Sequence, residues 1–198
     1  MGSGINGDSQ YQPPDLDKKF IINEAGLELV KHFESLFLNS YIDPIGVPTI
    51  GYGKIRFRDG SKVELGQTCT KEQAEKWLIE DLEDEGAKYV RYYLNDKQEY
   101  ELNQNQFSSL VSFTFNRGAG RFRDYIAPFI NKNDISGAMT ALCSLNWAVE
   151  NGQKIYFLGL HRRRWAERYL FEGKDWRAFD TVAKFKAFKD NNYELLGK

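Results

Sequence analysis

The strongest constraint on this chain is a cluster of helix-breaking residues, Pro44, Gly46, Pro48, Gly51 and Gly53, set between two segments patterned for helix. Proline removes a backbone donor and clashes with the preceding turn, and glycine is entropically costly inside a helix. Residues 41–66 must therefore fold as turns and short extended pieces, with residues 55–58 and 62–65 forming a hairpin about Asp59-Gly60. Upstream, Leu27, Val30 and Phe33 recur at helical spacing behind Asn23, a good capping residue, which predicts a first helix to about Ser35. Downstream, Thr70 followed by Gln73 is a capping-box signature that opens a long helix to about Leu94. After about Asn103 the pattern is helical nearly throughout. Phe107, Leu110, Val111, Thr114 and Phe115 line one stripe ended by Gly118. Asp134 is placed to cap a further helix, another runs from about Leu160 to Phe171, and Asp175 or Trp176 opens the last. The expectation is an α+β domain, mostly helical: a small β lobe and a larger helical lobe, bridged by the long helix.

Charge and rare residues narrow the function. With 27 Lys and Arg against 28 Asp and Glu, the chain has a net charge of −1, which disfavours a nucleic-acid partner. That balance gives no long-range pull toward an anionic surface, so substrate recognition has to be local to a groove. Cys69 and Cys143 lie far apart, and with only His32 and His161 beside them they match no metal-ligand spacing. Free thiols and no metal are expected. No apolar run approaches the ~18 residues of a membrane span, so stable membrane insertion is not expected. Residues 1–22 read as a flexible polar lead-in whose Met-Gly-Ser-Gly start resembles a cloning remnant, leaving residues 23–198 as one globular domain. No signal peptide is visible in that lead-in. The acidic faces of the long helix (Glu72, Glu75, Glu80, Glu83) read as solvated.

The chemistry concentrates where the first helix meets the β lobe. Glu34 abuts Phe33, Leu36 and Phe37, and apolar neighbours disfavour a carboxylate's charge, which suits a general acid. Asp43 follows nine positions later in an Asp-Pro turn, and Thr49 six after that. Two carboxylates facing each other over a cleft are what glycosidic hydrolysis needs, one to protonate the leaving oxygen and one to manage water or the sugar cation.

The spacing Glu34, eight residues, Asp43, five residues, Thr49, then Gly51-Tyr-Gly53 resembles the catalytic segment of phage-type lysozymes, glycoside hydrolase family 24. The resemblance implies a lysozyme-like fold and a muramidase without a cofactor, with peptidoglycan as its partner. In it Glu34 is the acid, Asp43 the base and Thr49 the residue that positions water, and the resemblance favours inversion at the sugar carbon. It runs over about residues 24–173. Residues 105–118 resemble the family's cleft helix, placing Ser112 and Asn116 to hydrogen-bond sugar groups. Residues 159–167, Gly-Leu-His-Arg-Arg-Arg-Trp-Ala-Glu, resemble its late basic helix, on which Arg163 is expected to orient Glu34. Tyr52, Gly53 and Trp147 complete the expected substrate surface. One departure is Lys54, where many members carry His. The implied enzyme is a monomer, made in the cytoplasm and acting on the bacterial cell wall. A non-catalytic wall-binding module and a lytic transglycosylase are the rival readings. Asp43 argues against the transglycosylase, which dispenses with a second carboxylate.

Overall fold

A computed structural model describes residues 21–94, 101–150 and 152–191. The expected lead-in, residues 1–22, lies almost wholly outside that set.

Helix α1 (Glu24–Glu34) starts where Asn23 accepts a hydrogen bond from the Gly26 N–H at 3.0 Å, satisfying one of the orphan donors of a helix start. Asn23 also ties this helix to the middle of the molecule. Its side-chain amide donates to Asn105 Oδ1 at 2.7 Å, and its backbone N–H to Ser108 Oγ at 2.9 Å. A methyl group at Gly26 would sit 2.5 Å from Ser108 Cβ, so only glycine lets the two helices approach this closely. α1 stops at Glu34 because Ser35 turns to φ 62° and ψ 154°, a backbone shape side chains avoid.

Strands β1 (Phe37–Ile42) and β2 (Pro48–Gly51) then pair antiparallel, with Tyr41 opposite Thr49 and Ile42 opposite Pro48. The lobe thus begins at Phe37, earlier than the sequence pattern placed it. The hairpin expected at residues 55–65 survives as a turn with a single bridge, Arg56 to Lys62, held by Phe57 N–H to Ser61 O at 2.8 Å.

The long helix α2 follows as three continuous pieces: Lys71–Asp81, a π-helical turn Leu82–Ala87, and Lys88–Tyr93. Thr70 and Gln73 form the expected reciprocal cap. Helix α3 (Gln104–Arg117) is central, capped by Asn103 and Gln106 and buried from Gln106 to Thr114. A stripe was expected here; the helix is instead enclosed on all sides, with Ser108, Ser109, Ser112 and Thr114 inside as well as the apolar residues. Helix α4 spans residues 119–130, and α5 (Ile135–Ser144) begins at its Asp134 cap. A second hairpin, β3 (Trp147–Glu150) with β4 (Gln153–Tyr156), is an addition to the expectation of helix nearly throughout after about Asn103. Helix α6 (Leu158–Phe171), a 3-10 turn (Trp176–Phe179) capped by Asp175, and α7 (Val182–Asn191) complete the described residues.

Two apolar cores hold these parts. The larger joins Ile50, Tyr52 and Val63 of the β lobe to Leu78, Leu82 and Val90 of α2 and to Phe107 and Phe113 of α3. The smaller packs Leu29 of α1 and Trp165 and Leu170 of α6 against Trp176, Phe179 and Phe185. Each fully buried Phe or Leu contributes about 1.5–3 kcal/mol. The second core therefore fixes the two helices that carry Glu34 and Arg163. Cys69 and Cys143 are free thiols.

Candidate active site

Glu34 is the last residue of α1, and the turn at Ser35 leaves its side chain at the lip of a cleft. Arg163 Nη1 of α6 donates to Glu34 Oε1 at 2.5 Å. The acid is partly exposed, at 23 %, while the guanidinium is 4 % exposed, so a buried cation holds a carboxyl that faces outward. Arg163 is itself anchored by Glu167, one helical turn on, whose Oε1 accepts from Arg163 Nε at 3.2 Å. The same oxygen accepts from Arg164 Nη2 at 2.9 Å and from Ser112 Oγ at 2.8 Å. Arg164 also donates to Asn116 Oδ1 at 2.9 Å. Arg164 and Glu167 are wholly buried, and burial pushes the Arg164 guanidinium down to about 10. The basic run at residues 162–164 is largely interior, with Arg163 and Arg164 buried, because α6 lies against α3.

The cleft has a volume of about 640 Å³ and is walled by Glu34 of α1 and Ser35 just after it, Asn116 of α3, Ala148 of β3, Phe157 just before α6, and Arg163 of α6. It is large enough for sugar rings and mixes apolar walls with a few polar groups, the usual composition of a ligand site. Asp43 and Thr49 stand on the β lobe, outside the residues that wall this volume. Asp43 Oδ1 accepts two backbone N–H groups, from Ile45 at 3.0 Å and Val47 at 2.8 Å. Among the described residues its second carboxylate oxygen has no hydrogen-bond donor. Thr49 is buried, and its hydroxyl donates to Val47 O at 3.0 Å, which leaves the hydroxyl lone pairs free to accept. Gly51 and Gly53, at φ 66° and 97°, turn the chain where side chains are disfavoured, and Gly53 is open to solvent.

The remaining expected contacts divide. Asn116 does wall the cleft. Ser112 is removed from the substrate surface: it is fully buried and its hydroxyl is spent on Glu167. Tyr52 is likewise a core residue, 7 % exposed among the apolar side chains under the β lobe. Trp147 is half-buried with Lys154, Arg117 and Arg121 set over its ring, so it offers no bare stacking face. Two features escaped the sequence reading. Glu167 was visible only as the end of a motif, and the β3–β4 hairpin was announced by Asn151-Gly152, a two-residue turn signature between two short runs that the reading passed over. Lys54 is buried and ion-paired to Asp81 of α2, so it latches the β lobe to the long helix. Among the described residues no group of His, Cys, Asp and Glu is arranged to hold a metal, and no helix is long and apolar enough to cross a membrane.

The family model for phage lysozyme matches residues 31–167, which include every site residue named above. An endolysin of Acyrthosiphon pisum secondary endosymbiont phage 1 is 35% identical over 152 residues, covering 76% of this chain and 97% of the relative. Among solved structures, the endolysin from Escherichia coli O157:H7 phage FAHEc1 superposes with a TM-score of 0.67 at 36% identity, covering 76% of this chain and 92% of that one. The muramidase domain of SpmX from Asticaccaulis excentricus gives 0.63 at 34% identity, covering 76% and 96%.

Proposed function

Because this chain belongs to the phage lysozyme family and is a glycoside hydrolase of peptidoglycan, we propose that it is a muramidase cutting the β-1,4 bond between N-acetylmuramic acid and N-acetylglucosamine. Glu34 gives its proton to the glycosidic oxygen as the C1–O bond breaks. Asp43 takes a proton from a water attacking C1 from the opposite face, and Thr49 accepts the water's second hydrogen. The lone pair of that water then points at carbon, and the product is a reducing sugar of inverted configuration. The observation that carries this reading is the Arg163–Glu34 contact of 2.5 Å at the lip of the cleft. A buried guanidinium fixes the direction of one carboxyl oxygen and leaves the other to face substrate. Two further details support it. Among the described residues, backbone donors pin one oxygen of Asp43 and leave the other available, and the Thr49 hydroxyl donates to Val47 O and accepts from none.

The enzyme acts on the cell wall. We read it as a monomer without a nucleic-acid partner, synthesised in the cytoplasm, with Gly53 and Asn116 meeting the glycan. Mass spectrometry of digested peptidoglycan tests the reaction. Reducing muramic acid ends are expected. Anhydro-muramyl ends would mean a lytic transglycosylase, and tight retention on sacculi with no released fragments would mean a binding module.

A further inference from the structure

Residues 176–191 lie beyond residues 31–167, the part of the chain that matches the family model. They form the 3-10 turn Trp176–Phe179 and helix α7, and set Trp176, Phe179 and Phe185 in the smaller core against Leu29 of α1 and Trp165 of α6. The last carbonyls of a helical turn have no partner inside it. Here the carbonyls that close the turn are taken by two residues of the cleft wall. Arg162 Nε donates to Phe179 O at 3.1 Å and Arg162 Nη2 to Asp180 O at 2.5 Å, so a planar fork spans two successive carbonyls. His32 Nε2 donates to the same Asp180 O at 2.8 Å, since a carbonyl can only accept. One backbone oxygen of this segment thus joins the last turn of α1 to the start of α6.

From that oxygen the contacts lead to the acid. His32 stands two residues before Glu34 on α1, and Phe33 lies between them in the chain. The guanidinium carbons of Arg162 and Arg163 sit 5.5 and 5.8 Å from the centre of the Phe33 ring, within cation–π range. A ring touched by both arginines sets their spacing, and Arg163 Nη1 then donates to Glu34 Oε1 at 2.5 Å. His32, Phe33, Glu34, Arg162 and Arg163 all wall the cleft. Two of the three nitrogens of the Arg162 guanidinium are spent on the carbonyls, which suits it to hold its neighbours in place. Resting on the reading of Glu34 as the general acid, we propose that the segment Trp176–Asn191 positions that acid: its Phe179 and Asp180 carbonyls fix Arg162 and His32 and, through Phe33, keep Arg163 aimed at Glu34. Arg162 and His32 are then positioning residues.

Steady-state rates on peptidoglycan, taken on the full chain beside melting curves, test this. Arg162→Met keeps the aliphatic stem and removes the fork. Its kcat should fall roughly ten- to a hundredfold, the scale for a catalytic group displaced by about 1 Å, with KM within about twofold of the parent. Arg162→Lys, which keeps the charge and a donor, should recover part of that loss. His32→Gln keeps a donor and should work near the parent rate, whereas His32→Ala should not. Added to Arg163→Gln, which already releases the acid, Arg162→Met should cost no more than about twofold further. The proposal is overturned if folded Arg162→Met keeps the parent kcat, if KM rises while kcat holds, or if the double variant loses the full product of the single losses. Should Arg162→Met fail to fold, the two His32 variants decide: equal rates for alanine and glutamine overturn it. Crystal structures of the parent and Arg162→Met read the same point without turnover. The Arg163–Glu34 contact should be present in the first and lost in the second, and its survival in the variant overturns the proposal. Failure of the muramidase reading shows instead in the parent's products, so the two failures are distinct.

Discussion

Replacing Glu167 with alanine should damage both stability and turnover, and the size of the first can be worked from the contacts. The substitution removes three interactions at one oxygen, with Arg163 at 3.2 Å, Arg164 at 2.9 Å and Ser112 at 2.8 Å. Arg164 is wholly buried and, among the described residues, would keep one hydrogen bond, to Asn116 at 2.9 Å, and no counter-charge. Breaking a buried ion pair by deleting one partner costs about 3–5 kcal/mol, because the surviving charge stays buried and unpaired. For a chain of this length that corresponds to a melting temperature lower by about 6–20 °C. Total stabilities are about 5–15 kcal/mol, so the alanine variant risks unfolding. Glu167→Gln keeps an acceptor oxygen and the shape while removing the charge, and is the safer probe. Ser112→Ala, losing one hydrogen bond to a charged group, should cost about 1.5–3 kcal/mol. Thermal melts by circular dichroism give the stability arm. Initial rates on peptidoglycan give the other: a loosened Arg163 should lower kcat with little change in KM, since it positions the acid and does not bind glycan. A Glu167→Ala protein melting within 2 °C of the parent, with unchanged kcat, would refute the reasoning.

Other expectations follow from single contacts. The Trp165 indole donates to His161 Nε2 at 3.2 Å, which requires a neutral ring, and burial followed by the Lys189 charge push His161 below its ordinary value. Its stabilisation is therefore complete above the ordinary histidine value of about 6.5 and is lost as pH falls from there through the lowered folded-state value. His161→Gln should flatten the drop in melting temperature between pH 7.5 and 5.5, and an unchanged slope would exclude this histidine as its source. Lys54→Ala strands Asp81, whose carboxyl burial already raises, and should cost about 1–3 kcal/mol at neutral pH in urea melts. That loss should shrink as acid protonates Asp81; a loss equal at pH 3 and 7 counts against the latch. Ser35→Gly relieves a φ of 62° at the end of α1, so it should stabilise the fold by about 1 kcal/mol or more, and a lower melting temperature would contradict the assignment of strain there.

Local chemistry was legible in the sequence, and tertiary enclosure was not. Asn23, Thr70 with Gln73, and Asp134 cap the helices they announced, because a cap depends on three or four consecutive residues. The breakers at residues 44–53 marked the β lobe for the same reason. The start of that lobe at Phe37 was missed because Phe, Leu and Tyr suit a helix end as well as a strand. The β3–β4 hairpin was legible in Asn151-Gly152 and was passed over because the strands on either side are only four residues long and lie between two helices. In the site, the Glu34, Asp43 and Thr49 spacing stands out because it is short-range. The fates of Ser112 and Tyr52 depended on which neighbour covers them, a matter of packing between elements far apart in the chain. Arg163 was singled out as the partner of Glu34 and lies within hydrogen-bond distance of it. Its anchor, Glu167, could have been found by asking what neutralises three consecutive arginines on a helix that must also pack.

The most direct test of the account is the initial rate of fragment release from purified peptidoglycan by Glu34→Gln protein, read beside its far-ultraviolet circular dichroism. A group that must deliver a proton should not tolerate an amide: the rate should fall by at least about 10²–10⁴-fold, the usual contribution of general acid catalysis, while the spectrum and melting curve stay those of a folded enzyme. A well-folded Glu34→Gln protein that releases fragments within a few-fold of the parent rate would contradict it.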